Sequence, residues 1–351
     1  MKDKRNLLKQ KSRNTLINFF LSSFFAISFF YIIPILINFA DKNFYTKEFT
    51  NNSKKILTYT LNSKEEKIDQ NSFINEEDVL IDIYSLNNSE SESIYLSAAT
   101  INKLFKETDY NLNDVRKKKL VKPVALTLLP TELKIIENTK KRKEFFIQII
   151  LPLIIRENNI IKKDRRTLFN IINKINNTTL EINWLEKKYK QYGVKSKDLS
   201  TLKMRMDEIP VSLAIAQAAK ETGWGTSRFA QEGNALFGQW TWSGEGLKPK
   251  EAEKDKDHKV MKFNILQASV RAYQRNLNTH STYKDFRKAR AEFRDSNKSL
   301  DSIELSKYLN KYAETGNQYV EVLQKIIQQN KLQDFDDAKL LPSSVDLESL
   351  I

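Results

Sequence analysis

Cysteine is absent from the 351 residues, and histidine occurs only as His258 and His280. Without cysteine there is no disulfide, no thiol nucleophile and no thiolate metal site. The two histidines have no partner at metal-ligand spacing, so no metal centre is expected. A Ser-His-Asp triad would have to use one of the two. His280 reads as a structural hydrogen-bonding residue and His258 as a solvated one in a charged loop. Glycine and tryptophan are scarce, with eight and four copies. Six of the glycines (Gly223, Gly225, Gly233, Gly238, Gly244, Gly246) and three of the tryptophans (Trp224, Trp240, Trp242) crowd into residues 223–246. Glycine gathers where backbone turns sharply or approaches another group, and exposed rings gather where flat ligands bind. That window is the candidate site.

Positive charge is abundant. Lysine and arginine number 58 against 44 acids, a formal net charge of +14. Such a balance suits polyanions: nucleic acid, anionic lipid or anionic cell-wall polymer. The N-terminus narrows the choice. Residues 2–13 carry six basic side chains and one acid, and Leu16–Ala40 then runs uncharged for 25 residues. This exceeds the ~20 residues that span a bilayer. It is also longer than the apolar core of a cleaved signal peptide, and Asn38-Phe39-Ala40 makes a poor cleavage site. An uncleaved signal anchor over residues 15–40 fits better. The excess of basic residues holds 1–14 in the cytoplasm and sends the rest across the cytoplasmic membrane. Nucleic acid is therefore not an expected partner.

Residues 41–78 are polar and aperiodic and read as a tether. Val79–Tyr84 and Ser93–Leu96 read as short strands and Ala98–Glu107 as a helix, giving a small α+β segment within 41–119. Lys122–Leu128 reads as extended, and Pro130 opens a helix. A helical pattern runs from Arg142 to about Asn176. Phe145–Ile155 is apolar nearly all round but too short to span a bilayer, and Pro152 is expected to kink or split it. Leu180–Tyr192 is a further helix, stopped at Gly193.

Asp207-Glu208-Ile209-Pro210 reads as an acidic cap with proline in the first helical turn. The following V-S-L-A-I-A-Q-A-A-K-E is rich in alanine, which allows close helix approach. Gly223 ends it, leaving Glu221 in the last turn. The negative end of the helix dipole and packing against Trp224 would both raise the Glu221 pKa. A carboxyl protonated near neutral pH can serve as a general acid. Ser227 and the polar-aromatic loop Asn234–Trp240 follow.

Ala216–Ser227 (A-Q-A-A-K-E-T-G-W-G-T-S) resembles the A-Q-A-x-x-E-[ST]-G-W-G-x-S signature of the bacterial glucosaminidases, the glycoside hydrolase family that includes the flagellar FlgJ enzymes and many autolysins. Asn234–Gly238 resembles its N-x-L-F-G element. Gln239-Trp240, Lys262-Phe263, Ser269–His280, Tyr283, Phe286 and Arg287 are similar to the Bax-like subgroup. So is the upstream run Pro123–Pro130 with Arg142-Lys143, Phe145-Phe146, Leu151–Leu153, Asn158 and Arg165. Tyr312-Ala313-Glu314 with Tyr319 resembles the family's Y-A-x…Y element. The likeness covers roughly residues 120–330.

The resemblance implies a mainly α chain with a lysozyme-like helical catalytic domain over 193–335 and a small β-hairpin lobe. A helical pre-domain over 120–192 would pack on it, and 336–351 would be a tail. It implies cleavage of the β-1,4 bond after N-acetylglucosamine in peptidoglycan, with Glu221 as general acid and Tyr312 near the reacting sugar. Trp224, Asn234, Phe237, Gly238, Trp240 and Tyr319 would shape the substrate site. Glycosidases usually use a second carboxylate. The family draws it from the lobe, here Thr241–Met261, where spacing favours Glu251 or Glu253. The substrate's N-acetyl group could replace it. Nothing in the sequence calls for a cofactor. The rival readings are a non-catalytic peptidoglycan-binding scaffold, a lytic transglycosylase with a lone glutamate, and a nucleic-acid binder.

Overall fold

The computed structural model describes residues 76–88, 95–241, 246–248 and 259–342. The basic tail 1–14, the span 15–40 and most of the tether lie outside the described residues. Among the described residues, no helix is long and apolar enough to cross a membrane. The chain divides into two compact units, one of residues 1–68 with 170–178 and the other of 69–169 with 179–351. The described part of the first is the end of a long helix and the turn after it, where the Lys174 N–H meets the Ile171 carbonyl at 3.3 Å. The second unit carries the site and is mainly helical.

The helix Val211–Thr222 lies at its centre. Ten of its twelve residues are buried, because Leu213, Ile215 and the four alanines make it apolar on nearly every face. Small side chains let the helix Asn317–Gln329, the helix Ser302–Ser306 and the 3-10 turn Leu332–Phe335 close around it. Its N-terminus is not capped by Asp207. Pro210 is the cap residue and provides no side-chain bond. Asp336 supplies it instead, accepting from the Ser212 N–H at 2.8 Å and the Ser212 hydroxyl at 2.7 Å. Residues 336–340, expected in a tail, thus belong to the fold. Lys339-Leu340 also forms a parallel strand pair with Leu120-Val121.

Asp207 has a different task. Burial opposes its charge, but Arg290, Arg165 and Arg294 together hold its carboxyl below the ordinary value. Arg290 is fully buried and donates to the Asp207, Glu208 and Met204 carbonyls. This cluster pins the chain entering the central helix. Asn158 adds a two-way clamp on Ile209, donating to its carbonyl at 2.8 Å and accepting from its N–H at 3.2 Å.

Asn158 stands on the helix Thr139–Ile172, which runs unbroken through Pro152. Proline has no N–H, so the Gln148 carbonyl one turn back loses its helical partner. The Tyr110 hydroxyl donates to that carbonyl at 3.1 Å, and the Gln148 side chain returns a bond to the Tyr110 carbonyl at 2.8 Å. The expected split is avoided because an outside donor replaces the missing one.

The segment before residue 120 differs from the α+β expectation. Its described residues 76–119 hold three helices, Glu76–Asn87, Ala98–Glu107 and Leu112–Lys118. Val79–Tyr84 is helical because Leu80, Ile83 and Leu86 recur at one-turn spacing and pack on Phe263, Ile265 and Ala268. Arg275 secures the helix, binding Asp82 at 3.0 Å and the Val79 carbonyl at 2.6 Å. Tertiary burial outweighs the β-branched propensity. In the lobe, Trp240-Thr241 and Gly246-Leu247 both pair antiparallel with Lys259–Met261, giving the small sheet expected there.

Tyr110→Phe leaves the Gln148 carbonyl unpaired and should cost about 1–2 kcal/mol. In a Pro152→Ala background the restored Ala N–H should remove most of that cost. A double-mutant cycle by chemical denaturation reads the coupling, and strictly additive losses would refute the replacement.

Candidate active site

Glu221 sits in the last turn of the central helix, and the chain leaves that helix through a left-handed corner. Gly223, Trp224 and Gly225 have φ of +57°, +62° and +82°. Three consecutive positive φ values explain the Gly-Trp-Gly sequence, since glycine adopts them freely. Trp224 bears strain of about 1–3 kcal/mol there. A Cβ on Gly225 would lie 2.9 Å from the Phe146 ring, so that glycine also allows close packing. Thr222 ties the corner, with its hydroxyl donating to the Ala218 carbonyl at 2.6 Å and accepting from the Gly225 N–H at 2.8 Å.

The Glu221 carboxyl is half-buried. Burial raises its pKa above the ordinary glutamate value, opposed by a hydrogen bond from the Tyr319 hydroxyl and by the charge of Lys220. The Trp224 ring meets Phe146 edge-on at 6.0 Å, and the Lys143 ammonium lies 4.9 Å from its centre. Gly238 and a set of tyrosines lie close to the carboxyl. Gly238, with φ of +61°, lies so close that a Cβ would stand 3.3 Å from Glu221 Oε2. Tyr312 stacks on Tyr319 at 5.5 Å and donates to the Phe237 carbonyl at 2.8 Å, fixing the loop that carries Gly238. Burial pushes the Tyr283 hydroxyl up to about 12, with the nearby Glu221 charge adding to the rise.

Several expected substrate contacts have supporting positions. Phe237 is 1% exposed and stacks flat on Tyr273 at 3.8 Å. Tyr319 is 2% exposed. Asn234 takes the left-handed position after the short helix Arg228–Gly233, and its side chain donates to the Phe263 carbonyl at 2.9 Å. Ser227 caps that same helix through the Ala230 N–H at 3.2 Å. Trp240 lies in the first strand of the lobe, opposite Val260. Glu251, Glu253 and His258 lie outside the described residues. His280 caps the 3-10 turn Ser281–Tyr283 by accepting from the Thr282 N–H at 3.3 Å.

Sequence reasoning passed over Gln217 and left Tyr273 and Tyr283 without roles. All three are buried near the acid. The signal for Gln217 was present: it is the one amide in an alanine-rich run and lies one turn before Glu221, on the same helix face. Among the described residues, no cluster of acids or histidines is arranged to hold a metal ion.

Residues 198–332 match the Glucosaminidase family, described as mannosyl-glycoprotein endo-beta-N-acetylglucosaminidase. The chain is 31% identical to Protein bax of Escherichia coli (strain K12) over 196 residues, covering 54% of this chain and 70% of that protein. The chain belongs to the Bax-like glucosaminidase-domain proteins. No solved structure matches it. The glucosaminidase match takes in Glu221, the left-handed corner, Gly238, Tyr312 and Tyr319.

Gly225→Ala should lose about 3 kcal/mol, combining left-handed strain with overpacking against Phe146. Gly316 has φ of +59° but nothing within 4 Å of a built Cβ. Gly316→Ala should therefore lose only about 1 kcal/mol. Denaturation midpoints of the two variants test this, and equal losses would remove close packing as a reason for Gly225.

Proposed function

We propose that this protein hydrolyses the β-1,4 bond after N-acetylglucosamine in peptidoglycan glycan strands, with Glu221 as the general acid. The observation that carries the reading is the Glu221 carboxyl itself, half-buried against Gly238 with its pKa raised by burial. A carboxyl held protonated can give its proton to the glycosidic oxygen as the bond to the anomeric carbon breaks. The leaving sugar then departs as a neutral alcohol, and water completes the hydrolysis. Tyr312 holds the Phe237-Gly238 loop beside the acid. The second carboxylate is drawn from the lobe, with Glu251 and Glu253 favoured by spacing, unless the substrate's N-acetyl group takes its place.

The basic tail and the uncharged run Leu16–Ala40 support a single-pass anchor in the cytoplasmic membrane. Residues 41–351 would then meet peptidoglycan on the extracytoplasmic side. A net charge of +14 suits a wall carrying carboxylates.

The full-length protein should release reducing N-acetylglucosamine ends from purified peptidoglycan, and Glu221→Gln should lower that release at least ~100-fold. Release by Glu221→Gln at the wild-type rate would remove Glu221 as the acid. Anhydro-muramyl ends in the product mass spectrum would assign a lytic transglycosylase, and no release by the wild type would assign a scaffold. The acid must carry its proton to act, so kcat should fall as pH rises through the Glu221 pKa. That alkaline limb should lie above the ordinary glutamate value of 4.5. A limb at or below 4.5 would contradict the protonated carboxyl.

A further inference from the structure

We propose that Tyr273, Gln217 and Tyr319 form a one-way hydrogen-bond chain that orients the Glu221 carboxyl, with the Gln217 amide giving it its direction. The proposal rests on the reading of Glu221 as the acid and adds three positioning residues to it.

The direction follows from the Gln217 amide, which has one accepting end and one donating end. The Tyr273 hydroxyl donates its single proton to Gln217 Oε1 at 2.7 Å. The other end of the amide, Gln217 Nε2, faces Tyr319 and donates to its hydroxyl oxygen at 3.1 Å. With that oxygen already accepting, the Tyr319 proton is available to Glu221, whose carboxyl lies close enough to raise the Tyr319 pKa. Tyr273, Gln217 and Tyr319 are 0%, 0% and 2% exposed, so no solvent competes for any link. Links of this kind polarise one another in a low-dielectric interior.

The reverse polarity would have the opposite effect. A flipped Gln217 would accept the Tyr319 proton and leave Tyr319 presenting a lone pair to Glu221. In the observed polarity Tyr319 holds one carboxyl oxygen, and the acid proton is left to the other. Tyr273 is itself held by its flat stack on Phe237, the residue before Gly238. The chain and the Gly238 loop therefore approach the same carboxyl from one shared support. The other titratable groups near Glu221 are Lys220 on its own helix, Tyr283 from the 3-10 turn and Tyr312 from the loop before Asn317–Gln329. None of these three lies in the chain, so all remain unchanged in the test.

The test uses full-length protein labelled with carboxyl-13C glutamate. The Glu221 resonance is assigned by its absence from Glu221→Gln, and its titration is followed by NMR. Tyr319→Phe should raise the Glu221 pKa by about one unit, the size expected for losing a hydrogen bond to a charged group. Tyr273→Phe keeps the ring stack and should shift the titration the same way by a smaller amount. Gln217→Met, close in volume, provides the same readout should Tyr273→Phe prove unstable. Each variant should lower kcat about tenfold with KM changed less than about twofold. A Tyr273→Phe or Gln217→Met variant that is less stable but titrates like the wild type would overturn the chain. Shifted titrations in a protein that releases no glycan ends would support the chain and sink the glycosidase reading.

Discussion

A helix buried on nearly every face still presents one carboxyl at its end, and the rest of the structure is arranged around that requirement. Val211–Thr222 can be surrounded because its side chains are short. It can present Glu221 because it ends at once, in a corner with three left-handed residues in succession. Gly225 lies so close to Phe146 that a Cβ would meet its ring at 2.9 Å, and Gly238 lies against the Glu221 carboxyl. Burial then raises the affinity of Glu221 for its proton, while Tyr319 and Lys220 keep the rise in check.

The start of the same helix is held as firmly as its end. Asn158 and Arg165, both on the long helix Thr139–Ile172, bind the backbone that leads into it. Arg290 reaches the same stretch from the other side. Removing one partner of such a buried charged cluster leaves an unmatched charge, which costs several kcal/mol. Asn158 and Arg165 are in this sense part of the site's foundation, acting through the backbone that leads into the central helix.

Local features were readable from the sequence. Clustered glycines announced the corner, and Gly193 marked a helix end where it occurs. Features that depend on distant partners were not readable. Asp336 reaches Ser212 across 124 positions, and no pattern near either residue announces the pairing. Val79–Tyr84 looked like a strand because its β-branched residues suit one, while the apolar face that makes it a helix exists only against Phe263 and Ile265. Pro152 looked like a break because its remedy, Tyr110, lies on another segment. The Glu221 pKa is raised, as expected, with burial as the main cause. Trp224 is adjacent in sequence, whereas the tyrosines that surround the acid come from three later segments.

The alanine content of the central helix also governs how the protein can change. Ala214, Ala216, Ala218 and Ala219 are at most 1% exposed, so a larger side chain at any of them has no room to enter. The acid and its helix are consequently closed to gradual variation. The lobe has strands of only two or three residues and joins the rest through the Gly238-Gln239 loop. Its short described strands hold few buried positions, so they constrain substitution less than the central helix does.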